Sequence, residues 1–358
     1  MVVVGLAAAA LAGRVLFDNS DELLTAADTL TSVRVGWVVM AVFVEVLSYA
    51  ARGAANAVVL RRGGGGAGPV TLGAATLAGD AAAYCLPFGF AAAGVVMVGV
   101  LRRRQVSAAL AGWMFAVSSV FYIAAIAVLT IIAVQIPGDD DPVPGLQAVS
   151  AALLGVLVLL GAGYAVARRP AVRRGLARVL PGVRLALPRR RPLRADSPGG
   201  RLRTALRTSW RDWARQLRTV RLTPAAGLAT FALMMVSWVA DVAVLVLAFL
   251  ALSSTPPWAG LLLAYCAGQV AASLPVTPGG IGVVEGSITL ALVAFGGAET
   301  ITLAAVLLYR LVAYWGCIPV GGLAWLVLRA TSRAPARLAV ETRPDPVTTG
   351  VAEAEPTS

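Results

Sequence analysis

Residues 274–282 read Leu274-Pro275-Val276-Thr277-Pro278-Gly279-Gly280-Ile281-Gly282. Two prolines and three glycines in eight positions cannot continue an α-helix: proline lacks the N–H and clashes with the preceding turn, and glycine is the next poorest helix former. Yet this break sits in the middle of 259–298, an apolar stretch whose one charge is Glu285. Working outward, 224–252 and 301–328 are each long and apolar enough to cross a bilayer, as are 35–60, 106–134 and 146–167, since a spanning helix needs about 20 apolar residues. Residues 2–17 form a shorter Ala-rich stretch. No positive segment precedes it, so a first transmembrane helix fits better than a signal peptide. Its abrupt start suggests that the natural chain begins upstream of Met1.

Composition agrees. The 358 residues are 58% hydrophobic and 13% charged, with a mean hydropathy of +0.80, against about 25% charged in soluble domains. There is no His, which excludes imidazole acid–base chemistry and His metal sites. Cys85, Cys266 and Cys317 are far apart and read as small buried hydrophobes. The sequence implies no cofactor and no metal. The net charge of +12 does not imply nucleic acid, because the arginines flank apolar spans in the positive-inside pattern.

The sign of the loops sets orientation. Arg61–Arg62, Arg102–Arg104, 168–221 and Arg329–Arg337 are basic and belong in the cytoplasm; Asp18–Asp28 and Asp139–Asp141 are acidic and belong outside. Residues 168–221 hold 17 Arg against Asp196 and Asp212. Within them, Leu202, Leu206, Trp210, Trp213, Leu217 and Val220 repeat at steps of three and four, as on an interfacial helix over anionic lipid. Residues 331–358 read as a disordered cytoplasmic tail.

Two segments then cannot cross twice. Residues 70–101, 32 in all, run between two cytoplasmic arginine clusters and break at Pro87 and Gly89. Two crossings would need about 40. Residues 259–298 start and end outside. Cys85-Leu86-Pro87 aligns with Ser273-Leu274-Pro275, and each hairpin has a full span before and after it. The predicted fold is therefore an all-α polytopic bundle of about six spanning helices plus two re-entrant broken-helix hairpins in an inverted repeat. Its parts are 1–34 (first helix and external loop), 35–167 (first half), 168–223 (Arg-rich loop), 224–330 (second half) and the tail.

Non-helical backbone at membrane depth must be satisfied by protein or a water-filled cavity. Half-helix N-termini there offer N–H groups and a positive dipole end to an anion such as a lipid phosphate. That makes Pro275, Thr277, Pro278, Gly279, Gly280 and Gly282 candidate binding residues, with Pro87 at the first break. Intramembrane ionisable residues suggest function by default: Glu45, Arg52, Asp80, Asp241, Glu285 and Arg310. Glu285 follows the break directly, Arg310 is its expected counter-charge, and Asp241 could complete an acidic–basic–acidic cluster. Glu45, Arg52 and Asp80 fit structural ion pairs slightly better. The tryptophans Trp113, Trp238, Trp258, Trp315 and Trp325 read as core or interfacial anchors.

The run Ala264-Tyr265-Cys266-Ala267-Gly268-Gln269, then 274–282 with Val283-Val284-Glu285, resembles the signature of the lysylphosphatidylglycerol synthase transmembrane-region family, a flippase-like group. Asp241, Leu308-Tyr309-Arg310-Leu311 and Tyr314-Trp315 extend the likeness, which is specific over 230–328 and diffuse over 35–167. It adds Gln269 and Tyr309 to the candidates. The best-understood members, the multiple peptide resistance factors, carry a cytoplasmic aminoacyl-transfer domain and move aminoacylated phosphatidylglycerol. Residues after 330 hold no such domain here, and Phe88-Gly89-Phe90 replaces the Gly-Asp…Arg pattern after the first break. The resemblance therefore implies a plasma-membrane lipid flippase or transporter, not an enzyme, with an anionic or modified lipid headgroup as partner. Any transport would be facilitated or ion-coupled. The alternative is a non-enzymatic accessory subunit that anchors a membrane glycosyl- or aminoacyl-transferase through 168–221.

Overall fold

The computed structural model describes residues 33–86, 89–136, 222–273 and 278–331. The expected helices at 2–17 and 146–167, the Arg-rich loop and the tail beyond 331 lie outside them, as do Pro87, Pro275 and Thr277. All regular structure among the described residues is helical. Helix α1 spans Val35–Arg62, α2 Pro69–Cys85, α3 Gly89–Arg103 and α4 Ala108–Gln135. After the loop come α5, Pro224–Ala251, and α6, Trp258–Ser273. A 3₁₀ turn, Pro278–Gly280, leads to α7, Val283–Ala294. Helix α8, Glu299–Arg310, continues through a π-helical turn, Leu311–Trp315, into α9, Cys317–Thr331.

Four of these units are long and apolar enough to cross a membrane: α1, α4, α5 and the continuous 299–331. The last covers the span expected at 301–328. The hairpin helices are shorter. At 1.5 Å per residue α7 reaches only about 18 Å and α2 about 26 Å, less than a ~30 Å hydrocarbon core. In each hairpin the two arms pack against one another. Pro69 opens α2 and Pro224 opens α5, positions where the missing proline N–H is not needed. Ser107 and Thr223 accept the first-turn N–H of Leu110 and Ala226 and so cap α4 and α5.

Helices α1 and α5 form the central crossing. Each has 28 residues, and they meet at the fourteenth of each: the Ser48 hydroxyl donates to the Ser237 carbonyl at 3.1 Å and lies 2.9 Å from the Ser237 hydroxyl. A residue paired with its own counterpart is what a two-fold axis through the crossing requires. Small residues allow close approach elsewhere. A Cβ on Gly53 of α1 would lie 2.4 Å from the Pro69 carbonyl oxygen and 2.6 Å from the Gly73 nitrogen, and one on Gly321 of α9 would lie 2.5 Å from the Leu77 carbonyl oxygen of α2. This is the small-residue packing that membrane helices use in place of a hydrophobic drive.

Large apolar side chains cover the outside, among them Val39, Phe43 and Val46 of α1, Leu228 and Val239 of α5, and Leu323 and Leu326 of α9. Apolar surface on this scale needs lipid around it. The interior holds two apolar cores. One joins α1, α4, α5, α6, α7 and α8; the other joins α1 to α4, with Ala226 of α5 and Leu328 of α9. Between and beside them run the polar contacts described next.

Candidate headgroup site between the hairpin tips

The second hairpin turns where the glycines permit. Gly279, Gly280 and Gly282 have φ of 63°, 71° and 81°, left-handed values that side chains other than glycine rarely adopt. Gly279 has a second constraint: a Cβ there would fall 1.7 Å from the Tyr314 hydroxyl. Helix α7 begins at once, and Glu285 in its first turn accepts the Gly282 N–H at 2.7 Å. The carboxylate thus occupies part of the helix N-terminus that the sequence offers to a ligand anion. The chain supplies this carboxylate itself, since the glycine at the start of α7 has no side chain to cap the helix.

Arg310 ties the turn to α8. Its Nε donates to Glu285 at 2.7 Å and its Nη2 to the Gly279 carbonyl at 3.0 Å. The guanidinium lies 3.9 Å from the Tyr314 ring centroid. Arg310 is 7% exposed. The π-helical turn starts immediately after it and widens the helix by one residue, a feature often found at functional sites. On that turn Tyr314 reaches the first hairpin: its ring lies 4.4 Å from the Tyr84 ring, and its hydroxyl donates to the Tyr84 carbonyl at 3.4 Å. Tyr84 lies in the last turn of α2, so the end of that helix and the glycine turn of the second hairpin meet around Tyr314. Helix α2 also touches the 3₁₀ turn directly.

Asp241 does not join this cluster. Tyr265 and Tyr309 both donate to its Oδ2, the latter at 3.0 Å, and Glu45 of α1 stands beside it. The acidic–basic–acidic triad expected in the second half is thus split: consecutive residues Tyr309 and Arg310 point to different carboxylates. A third group lies in the first half. Arg52 donates to Asp80 at 2.6 and 3.4 Å, with the Tyr49 hydroxyl on Asp80 at 3.2 Å. The Arg52 guanidinium also lies 5.2 Å from the Tyr49 ring and 4.8 Å from the Tyr122 ring. Tyr122 in turn stacks on Trp238 at 4.3 Å.

Of the sequence candidates, the structure brings together Gly279, Gly280, Gly282, Glu285 and Arg310. Asp241 and Tyr309 form the neighbouring group. Gln269 lies partly buried one turn beyond Tyr265 on α6, where no described residue hydrogen-bonds its side chain. Pro278 opens the 3₁₀ turn. Among the tyrosines, only Tyr309 was a site candidate from the sequence, and only through the resemblance. Seven are present, and all six of the described ones (Tyr49, Tyr84, Tyr122, Tyr265, Tyr309 and Tyr314) contact an ionic side chain or a hairpin tip. Their signal was available: a phenol placed mid-span must find a partner for its O–H.

Fold and site define a multi-pass, all-α integral membrane protein with a polar interior. Over residues 2–321 the chain matches the family described as the lysylphosphatidylglycerol synthase TM region. It belongs to that family, in agreement with the resemblance carried by 264–285 and 308–315. A comparison with curated proteins gives no match.

Proposed function

We propose that this protein binds the polar headgroup of an anionic or modified membrane lipid between the tips of its two hairpins and moves it across the plasma membrane. The observation that carries this reading is the Arg310 cluster. A guanidinium, a carboxylate and a glycine-lined turn meet at the break of an apolar hairpin, against the break of the other. Structural pairing alone would not call for left-handed glycines and a π-helical turn at the same place. In this reading both hairpins are re-entrant, the first opening to the cytoplasm and the second to the exterior. A headgroup phosphate would compete with Glu285 for Arg310 and for the α7 N-terminus, since both are anions suited to the same donors. Displaced Glu285 would then free the turn to move. Lipid tails would stay against the exposed apolar faces.

The test is reconstitution in liposomes with labelled phospholipids and lipid-linked sugars. The expected result is headgroup transfer faster than in empty vesicles, strongly reduced in Glu285→Gln and in Arg310→Gln. Transfer no faster than in empty vesicles would sink the reading. Full activity in Glu285→Gln would remove that residue from the mechanism.

A further inference from the structure

Six ionisable side chains lie well inside the described spans and hairpins: Glu45, Arg52, Asp80, Asp241, Glu285 and Arg310. Both guanidiniums are committed, Arg310 to Glu285 at 2.7 Å and Arg52 to Asp80 at 2.6 Å. Glu45 of α1 and Asp241 of α5 remain, side by side near the central crossing. Arg52 acts on both from a distance, but its fork is turned to Asp80. The other groups facing the pair are the phenols Tyr265 of α6 and Tyr309 of α8, both on Asp241 Oδ2, with Tyr122 of α4 and the Asp80 carboxylate of α2 further off. Glu45 Oε2 is fully enclosed and has no hydrogen-bond partner among the described residues.

Two adjacent carboxylates at membrane depth cannot both carry charge without a large cost. A proton held between them removes one charge and turns one carboxyl into the donor that the enclosed oxygen lacks. A metal cation fits less well, because no third Asp, Glu, His or Cys joins the pair among the described residues. We propose that Glu45 and Asp241 hold one exchangeable proton between them, and that its passage from one side of the membrane to the other drives the lipid transfer. This coupling rests on the reading above; the proton site itself does not. The link between the two sites is one peptide bond long. Tyr309 holds Asp241 while Arg310 holds Glu285, so a change at the carboxyl pair acts on the headgroup cluster through the last turn of α8.

The proton is read by infrared difference spectroscopy on purified full-length protein in lipid nanodiscs across a pH series. The expected result is a protonated-carboxyl C=O band at neutral pH that shifts in deuterium oxide and is lost in Glu45→Gln and in Asp241→Asn, but kept in Glu285→Gln. No such band in the wild-type protein, a measurement that needs no variant, overturns the proposal, and so does a band unchanged in both variants. In proteoliposomes, transfer should rise several-fold when a pH gradient is imposed, and Glu45→Gln should lose that dependence. Wild-type transfer indifferent to the gradient overturns the coupling. No lipid transfer at all, with the band present, defeats the lipid reading and leaves the proton site standing.

Discussion

Arg310 concentrates the energetics of the second hairpin in one side chain. It is buried, it neutralises Glu285, and it satisfies the Gly279 carbonyl. Replacing it with Ala leaves a carboxylate and a carbonyl without their donor. Breaking a buried ion pair on one side costs about 3–5 kcal/mol, so Arg310→Ala should lower the melting temperature of the detergent-solubilised protein sharply. A double variant, Arg310→Met with Glu285→Gln, should recover much of the stability without recovering lipid transfer, which a melting curve and a liposome assay would show together. Gly279 makes the second residue-scale case. Gly279→Ala adds left-handed strain of about 1–2 kcal/mol and a collision with the Tyr314 ring. Because one neighbour causes the collision, Gly279→Ala combined with Tyr314→Ala should cost less stability than the sum of the two, in a double-mutant thermal cycle. Glu285, Arg310 and the three glycines were legible in the sequence because charge and glycine are conspicuous in an apolar stretch. Tyr314 and Tyr84 were not, because an aromatic residue at membrane depth looks the same in a core as at a junction.

Hairpins and spans show the same division. The helix ends at Cys85 and Ser273 follow from local chemistry, since proline and glycine stop helices wherever they stand. The length argument for 70–101 and 259–298 also needed only residue counting and is matched by the short arms of both hairpins. The π-helical turn at 311–315 could not be read from Leu-Val-Ala-Tyr-Trp, which suits an ordinary helix; it accompanies the stacking of the Arg310 guanidinium on the Tyr314 ring. The glycine contacts test the packing of the first hairpin. Gly53→Ala and Gly321→Ala meet backbone oxygens within 2.5 Å and should each cost about 1–3 kcal/mol by overpacking. Gly99→Ala and Gly322→Ala meet nothing within 4 Å and should leave the melting temperature unchanged or slightly raised, as expected for Gly→Ala in a helix. Equal losses at all four positions would refute the close approach of α1 and α9 to α2.

The whole molecule is organised about the Ser48–Ser237 crossing, which places Arg52 and Asp241 at equivalent positions of α1 and α5. The two halves share a plan and differ in charge there, so one half closes an ion pair on Asp80 while the other faces Glu45. Orientation is tested at this scale. In a Cys85→Ser background, Thr255→Cys should react with a membrane-impermeant thiol reagent on intact cells, and Gly66→Cys only after permeabilisation. The reverse pattern would invert every side assigned from the arginines. The sequence alone determined the membrane class, the four described spans, the two broken segments and the family. Each of these depends on composition or on spacing along the chain, and hydrocarbon surroundings make such local signals strong. Arg310 as the counter-charge of Glu285 was also legible there; tertiary structure alone decided that Arg52 takes Asp80 and that Glu45 and Asp241 are left together. Those partners stand on different helices tens to hundreds of residues apart, and only the crossing of α1 with α5 brings the last two side by side.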